Sequence, residues 1–331
     1  MLELKEYLRG IEEPKATAVI NPNSSTHKKA MRRLARLESA ANFKIVRSYT
    51  SIYPEITKEI IRRAFSSDLV IVGGGDGTFH DVVNQRMAMH DQMSEQSKLV
   101  PILSLGGGNA EDGVVANHTR YHLRHPEQLI LDGIIADTHP TRFEILHPGS
   151  EEWERYWSAL YGTLGGVALA TEKLNKSKFL KTRFGGIRPI KSVSEIAIAS
   201  ICMINAGRNM VIDENGQERS FHSEIFANSA KMAKHLWFPE SLDDPRLFHY
   251  TLENGSILNI IGGVIASRRK KLEGEYLSPG DCISFTTAHD LKVQLDGEHQ
   301  IGGYEVIPSQ SQVNISSEEK TLRVVVTKTS I

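Results

Sequence analysis

The sequence predicts an α/β domain built on a doubly wound parallel sheet, followed by a mainly antiparallel β-sandwich domain. Three observations carry this. Apolar, strand-length runs alternate with amphipathic helical segments through residues 15–105. Those runs end in clusters of glycine, asparagine and threonine. Beyond about residue 140 the alternation gives way to short strand-like segments, most of them separated by Gly, Asn, Asp or Pro turns. The expected domains are therefore residues 1–138 and residues 139–331.

Residues 15–20 read as a first strand, ended by the turn-rich cluster Asn21, Pro22, Asn23, Ser24 and Ser25. Residues 27–41 form a basic helix with Ala30, Leu34 and Leu37 on one face. Residues 43–48 are a second strand, closed by Thr50, and residues 53–65 a helix with Ile56, Ile60 and Ile61 inward. Leu69 to Val72 is a third strand. It runs into Gly73, Gly74, Gly75, Asp76, Gly77 and Thr78, and then into a helix on which Phe79, Val82, Val83 and Met87 share a face. Residues 99–105 form a fourth strand that also ends in glycines: Gly106, Gly107, Gly108, then Asn109. Asn109 can cap a further helix, with Asp112 three residues on.

Strand, glycine turn and helix start together make an anion site. Free backbone N–H groups and the positive end of the helix dipole point at it. A carboxylate there should repel phosphate, so Asp76 makes most sense handling Mg2+ or a ligand hydroxyl. The plain alternative is a tight strand-to-helix turn capped by Asp76. Ligands of doubly wound sheets sit at the carboxyl ends of the strands. Asn21, Thr50, Gly75 to Thr78 and Gly106 to Asn109 all fall there.

In the second half, residues 141–146, 194–205, 248–252, 281–287 and 291–295 read as strands. Residues 152–161 carry Trp153, Tyr156, Trp157 and Leu160 at helical spacing, a stripe that reads as core. Residues 255–267 fit a helix or a strand equally. Residues 321–327 are β-branched and read as a closing strand.

Lys and Arg (39) balance Asp and Glu (40), for a formal net charge of -1. That excludes the basic footprint of bulk nucleic-acid binding. Cys202 and Cys282 show no metal spacing, so a reducing cytosol is the default compartment. The N-terminus lacks the apolar core of a secretory signal, and no run is long enough to span a bilayer.

A second acidic element follows an alternating strand: Leu291, Val293 and Leu295 face one side, Lys292, Gln294 and Asp296 the other. Asp296-Gly297 then turns, and Glu298 follows. Asp-Gly is a common hairpin turn. The functional alternative is that two carboxylates are aimed at the phosphate cleft. A hydroxyl attacking phosphorus must lose its proton, and a carboxylate can take it.

Gly74-Gly75-Asp76-Gly77-Thr78, with Asp81-Val82-Val83-Asn84 behind it, resembles the signature of the diacylglycerol kinase catalytic domain family. That family includes bacterial lipid kinases and sphingosine kinases and is related to NAD kinases. Asn21-Pro22-Asn23-Ser24 is similar to its Asn-Pro-x-Ser nucleotide loop, with Ser25 where glycine is usual. Thr50 matches a nucleotide-contacting threonine. Leu242-Asp243-Asp244 resembles a segment whose acid holds structural Mg2+ in some members, with Pro245 replacing its glycine. Leu295-Asp296-Gly297-Glu298 matches the Asp-Gly-Glu in which the glutamate is the proposed general base. One departure stands out. Ser104-Leu105-Gly106-Gly107-Gly108-Asn109-Ala110 replaces Pro-x-Gly-Thr-x-Asn-Asp, and looks more like the Gly-Ser-Gly-Asn-Ala of sphingosine kinases.

The resemblance implies the fold shared by NAD kinases and diacylglycerol kinases, and an ATP- and Mg2+-dependent lipid kinase. ATP would lie against Asn21, Pro22, Asn23, Ser24, Thr50, Gly74 to Thr78 and Gly106 to Asn109. Asp76 and Asp244 are the metal candidates; Glu298, Asp296 and Asp76 are the catalytic ones. The expected partners are a lipid met at a membrane surface and a second copy of the chain, with no nucleic acid. The expected place is the cytoplasm, with peripheral membrane contact. Arg268 to Lys271 and residues 176–191 either attract anionic head groups or are solvated loops. The alternatives are a kinase of a soluble substrate such as NAD, and a nucleotide- or lipid-binding protein without turnover.

Overall fold

The computed structural model describes residues 2–24, 26–105, 122, 125–176, 201, 206–228, 231–232, 236–237, 244–253, 272–296 and 306–327. The chain opens with strand β1 (Leu2–Glu3) and helix α1 (Leu4–Arg9). The alternation then follows: β2 (Lys15–Ile20), α2 (His27–Ala40), β3 (Lys44–Tyr49), α3 (Pro54–Ala64), β4 (Leu69–Gly73), α4 (Asp76–Ala88), α5 (Glu95–Lys98) and β5 (Ile102–Ser104). Helix α6 (Gln128–Asp132) and strand β6 (Gly133–Thr138) complete this half.

The first sheet runs β1-β6-β21-β5-β4-β2-β3, with β2, β3, β4 and β5 parallel. Every residue of β4 is buried, as expected for a strand covered on both faces. Leu34 and Leu37 of α2 pack on one face with Ala16, Ala18, Leu69 and Ile71. Ile61 of α3 and Phe79, Val82 and Val83 of α4 pack on the other, with Val19, Val70 and Val72. The sheet is doubly wound, and its order reverses between β2 and β4, where such sheets bind ligands.

The second domain holds β7 (Thr141–Leu146), β8 (Glu154–Ser158), β9 (Tyr161–Gly165), helix α7 (Gly166–Lys176), β10 (Asn209–Asp213), β11 (Glu218–Phe221) and β12 (Ser223–Ala227). A small ribbon, β13 (Lys231–Met232) and β14 (Leu236–Trp237), follows. Then come β15 (Leu247–Leu252), β16 (Glu275–Leu277), β17 (Cys282–Thr287), β18 (Leu291–Leu295), β19 (Val306–Ile307), β20 (Gln312–Ser317) and β21 (Leu322–Thr327). Two antiparallel sheets, β11-β10-β17-β20-β7-β8 and β16-β15-β12-β9-β18-β19, face each other. Phe143, Val211, Phe285, Val313 and Ile315 of one sheet meet Leu164, Phe226, Leu291, Val293 and Leu295 of the other. This is the expected sandwich.

Two expectations are corrected. Residues 152–161 form no helix: Glu154–Ser158 is a strand, and 159–160 turn into β9. The stripe at helical spacing also fits a strand that ends in a turn, and long-range pairing with β7 decides between them. The last strand, β21, lies not in the sandwich but between β5 and β6 of the first sheet. The chain therefore crosses between domains twice, at 138–141 and at 317–322, and the Glu318 N–H donates to the Pro140 carbonyl (2.8 Å) where the crossings meet. Residues 255–267, and 194–205 apart from Ile201, lie outside the described residues.

Helix α4 belongs to both domains. The cluster around Phe79, Val82 and Val83 continues through Trp157, Leu160, Tyr161 and Ile225 of the sandwich. Each large apolar side chain removed from water along such a seam contributes roughly 1.5–3 kcal/mol. Only Asp81 and Ala88 of α4 are exposed among its described side chains.

Candidate active site

Strand register gathers the predicted loops at one edge. Ile20 pairs with both Tyr49 and Gly73, and Val72 pairs with Ser104. Asn21, Thr50, Gly74 and Leu105 therefore leave the sheet side by side. The Asn21 N–H donates to the Gly73 carbonyl (3.2 Å) and the Thr50 N–H to the Ile20 carbonyl (2.8 Å). Asn21 Oδ1 accepts from the Asn23 N–H (3.0 Å), which folds the loop back as an Asx turn. Pro22 and Asn23 are exposed; Ser24 Oγ bonds Thr26 Oγ1 (2.8 Å).

Gly75 has an extended backbone (φ -91°, ψ -164°), so the turn needs no left-handed residue. Its glycines matter through space. A Cβ on Gly74 would stand 2.3 Å from Thr78 Oγ1 and 2.5 Å from Thr78 Cβ. Thr78 is itself buried, so the side chain cannot swing away. A Cβ on Gly75 would meet Ser24 Oγ at 3.6 Å, which places the Asn21 loop directly against the glycine turn. Asp76 is the first residue of α4. Arg33, buried on α2, donates to the carbonyl of Leu105 (2.6 Å), the residue before Gly106. Burial holds its guanidinium below the usual arginine range.

The second domain reaches α4 through Asp296. Its carboxylate is buried and accepts from Ser158 Oγ (2.7 Å) and from the N–H groups of Ala159 (2.9 Å), Leu160 (2.9 Å) and Tyr161 (3.2 Å). His80 Nδ1, on α4 one turn after Asp76, lies 3.3 Å from Asp296 Oδ2. Asp296 has φ +50°, a left-handed conformation that a non-glycine residue adopts only at some cost. A carboxylate offers about four lone-pair positions. Oδ1 of Asp296 takes Ser158, Leu160 and Tyr161, and Oδ2 takes Ala159 and faces His80, so the carboxylate anchors the end of β18 to the β8–β9 turn.

One turn further along α4, Asn84 grips the backbone of β8. Its Oδ1 accepts from the Trp157 N–H (2.8 Å), and its Nδ2 donates to the Trp157 carbonyl (2.8 Å). The Trp157 indole N–H donates to Glu318 Oε2 (2.8 Å) at the second crossing between domains. The sequence reading gave no role to His80 or Ser158, placed Asn84 only within the family signature and read Trp157 only as core. A signal existed: His80 and Asn84 stand four apart beside the apolar face of α4, a polar pair on a second side of the helix.

Other predicted residues fall apart or out of view. Asp244 lies on the strand-entry loop, where its carboxylate is engaged by Arg246: the backbone N–H at 2.9 Å, Nε at 3.1 Å and Nη2 at 2.8 Å. Hydrogen bonding from Arg246 holds its pKa below the usual carboxylate value. Asp243, beside it, lies outside the described residues, and among the described residues no group of three or more metal-ligating side chains occurs. Gly106, Gly107, Gly108, Asn109, Gly297, Glu298 and the basic residues 177–191 and 268–271 lie outside the described residues.

A doubly wound domain with its loops at the switch point, joined twice to a β-sandwich, defines a two-domain fold found in kinases of lipids and of dinucleotides. A diacylglycerol kinase from Bacillus anthracis str. Sterne superposes with a TM-score of 0.63 at 13% identity, over 97% of this chain and 99% of that one. Yeast NADH kinase, solved with NADH, superposes with a TM-score of 0.50 at 10% identity, over 96% and 85%. No curated protein matches the chain. Residues 15–136 match the family model of the diacylglycerol kinase catalytic domain. That match spans the first domain, and it covers the Asn21 loop, Thr50, the Gly74 to Thr78 turn and Gly106 to Asn109.

Proposed function

We propose that the protein transfers the γ-phosphoryl group of ATP to the hydroxyl of a lipid of the diacylglycerol or sphingoid kind. The observation that carries this reading is the contact between His80 and Asp296. It sets Asp296, the residue that precedes Gly297 and Glu298 in the chain, against the helix that Asp76 begins in the other domain.

In this reading Asn21, Pro22, Asn23, Ser24 and Thr50 cradle the nucleotide. The backbone of Gly74 to Thr78 and of Gly106 to Asn109 faces its phosphates. Bound Mg2+ would supply charge neutralisation across the phosphoryl oxygens, with Asp76 as the residue that would hold it. Glu298 takes the proton of the lipid hydroxyl as its oxygen attacks the γ-phosphorus and the bond to ADP breaks. Asp296 fixes the turn that presents Glu298. Most of the rate gain comes from positioning and from the low-dielectric seam between the domains. The enzyme meets its lipid at a membrane surface without crossing it; no helix among the described residues is long and apolar enough to span one.

The test is incubation of the protein with γ-labelled ATP and a panel of diacylglycerols, sphingoid bases and NAD. Label in a lipid product is the expected result. Label in NAD with none in lipid makes the substrate soluble, and nucleotide binding without turnover makes the protein a binding module.

A further inference from the structure

We propose that the turn between β3 and α3 is a membrane anchor: Ile52, Tyr53 and Ile56 enter the headgroup layer of an anionic lipid surface, toward which the basic edge of the first domain draws the protein. The inference rests on the lipid-kinase reading above and deepens it by naming the surface that meets the substrate-bearing membrane.

Single exposed apolar side chains are ordinary on a protein surface; a group of them is not. Among the described residues the large exposed ones are scattered along the chain, except that Val46, Tyr49, Ile52, Tyr53 and Ile56 fall together. Ile52 is 75% exposed, Tyr53 62% and Ile56 51%. Helical spacing predicts Ile56 inward, yet it stands in the first turn of α3, and only Ile61 and Ala64 of that helix are buried. The turn is held by its own polar groups instead. The Ser51 N–H donates to Thr57 Oγ1 (3.0 Å), and the Thr57 hydroxyl donates to the Ser51 carbonyl (2.9 Å). The Tyr53 N–H donates to Ser51 Oγ (3.1 Å), and the Thr57 N–H to the Tyr53 carbonyl (3.1 Å). Backbone groups met in this way lose water at little cost, which suits a segment that enters a layer poor in water.

Charge decides what covers this surface. Residues 26–65 contain α2, α3 and β3, the edge strand of the first sheet. They hold ten Lys and Arg against three Asp and Glu, while the remainder of the chain holds 29 against 37. Each of the three acids already has a cation: Glu38 has Arg47, Glu55 has Lys58 (3.3 Å), and Glu59 has Arg62 (2.7 Å) and Arg63 (2.6 Å). The surplus is therefore positive, and Lys28, Arg32 and Lys44 are exposed within it. A second copy docked on this patch about a twofold axis brings two positive surfaces together. RNA would use the cations and leave Ile52, Tyr53 and Ile56 without a role. An anionic bilayer uses both, because basic residues are drawn to its surface and Tyr and Ile are taken up at its interface. The turn also lies close to the strand ends: the N–H of Thr50, two residues before Ile52, donates to the carbonyl of Ile20, the residue before Asn21. A bilayer engaged there lies beside the edge at which such sheets take ligands.

The test is co-sedimentation of the full-length protein with phosphatidylcholine vesicles, with and without phosphatidylserine. The wild type is expected to bind the anionic vesicles about tenfold more tightly than the neutral ones, and to lose that margin in high salt. The double variant Ile52→Ser, Tyr53→Ser is expected to bind anionic vesicles about 30-fold more weakly, the scale of two partly inserted side chains. Its melting temperature is expected to match the wild type, since both side chains lie largely outside the fold. The conservative pair Ile52→Leu, Tyr53→Phe is expected to bind as the wild type does. A second readout does not depend on the stability of the serine pair: Tyr53→Trp is expected to be quenched by brominated lipid beyond the wild type's own tryptophans. The proposal is overturned if the wild type does not bind anionic vesicles, if the folded serine pair binds them as well as the wild type, or if Tyr53→Trp gains no quenching. It is overturned too if the serine pair converts a dimer to a monomer by light scattering, which marks a contact between copies. Preference for RNA over vesicles in both wild type and serine pair marks a polyanion site and overturns it as well. Vesicle binding needs no turnover, so absence of phosphate transfer with binding intact removes the kinase reading and leaves the anchor.

Discussion

The turn that opens α4 and the turn that His80 of the same helix meets across the domain boundary are built on opposite rules. The first, at Gly73 to Thr78, uses glycine where the backbone is open to any residue: Gly75 is extended at φ -91°. Glycine is needed at Gly74 because Thr78 occupies the space a Cβ would take. The second, at Asp296, uses aspartate where the backbone favours glycine, at φ +50°. Aspartate is needed because its carboxylate collects Ser158, three backbone N–H groups and His80. One turn is set by steric exclusion, the other by hydrogen bonds. A motif of glycines and acids therefore does not reveal which residue of it is conformational and which is chemical.

Substitutions can break this contrast, and the largest effect is expected at Asp296. Asp296→Gly relieves strain of order 1 kcal/mol. It also orphans a buried hydroxyl and three amides, for a net loss of about 3–5 kcal/mol. Urea denaturation measures it, and wild-type stability in this variant refutes the hydrogen-bond account of the turn. At the other turn, Gly74→Ala forces a Cβ into Thr78 and is expected to cost about 1–3 kcal/mol, the usual penalty of overpacking. Adding Thr78→Ala is expected to recover at least half of it. Equal destabilisation in the single and double variants means that space is not what Gly74 provides.

Asn84→Ala leaves the Trp157 N–H and carbonyl without their partner and is expected to cost about 1–2 kcal/mol. Proteolysis at the 138–141 and 317–322 crossings should rise in parallel, since Trp157 also holds Glu318. The smallest effect is expected at Asp244, whose pair with Arg246 is partly solvated and contributes less than about 1 kcal/mol. Its carboxyl is depressed by hydrogen bonds from Arg246. Its contribution is therefore present above the ordinary value of 3.8 and fades as pH falls below it. Asp244→Asn should be indistinguishable from wild type at neutral pH by thermal melting.

The first domain was legible because its central strands β4 and β5 are buried on both faces and read as unbroken apolar runs, Leu69 to Val72 above all. Their convergence on one edge followed from chain order and the parallel topology. Residues 154–158 were not legible. Trp153, Tyr156, Trp157 and Leu160 fit a helical period, and only pairing with β7 and the grip of Asn84 make this segment a strand. The return of β21 to the first sheet was hidden for a similar reason, since β-branched composition names a strand but not its partner. His80 was missed because its only local signal is the i,i+4 spacing to Asn84, and that spacing does not name the carboxylate opposite it, 216 residues away.

The central claim is that two acids, one from each domain, act on one phosphoryl transfer. The most direct measurement is the rate of label transfer from γ-labelled ATP to the preferred lipid in wild type, Asp76→Ala and Glu298→Gln, with folding of each verified by circular dichroism. Each folded variant is expected to lose about a thousandfold in kcat, the scale of general-base and charge-stabilising groups. Transfer that survives both substitutions near the wild-type rate contradicts the account.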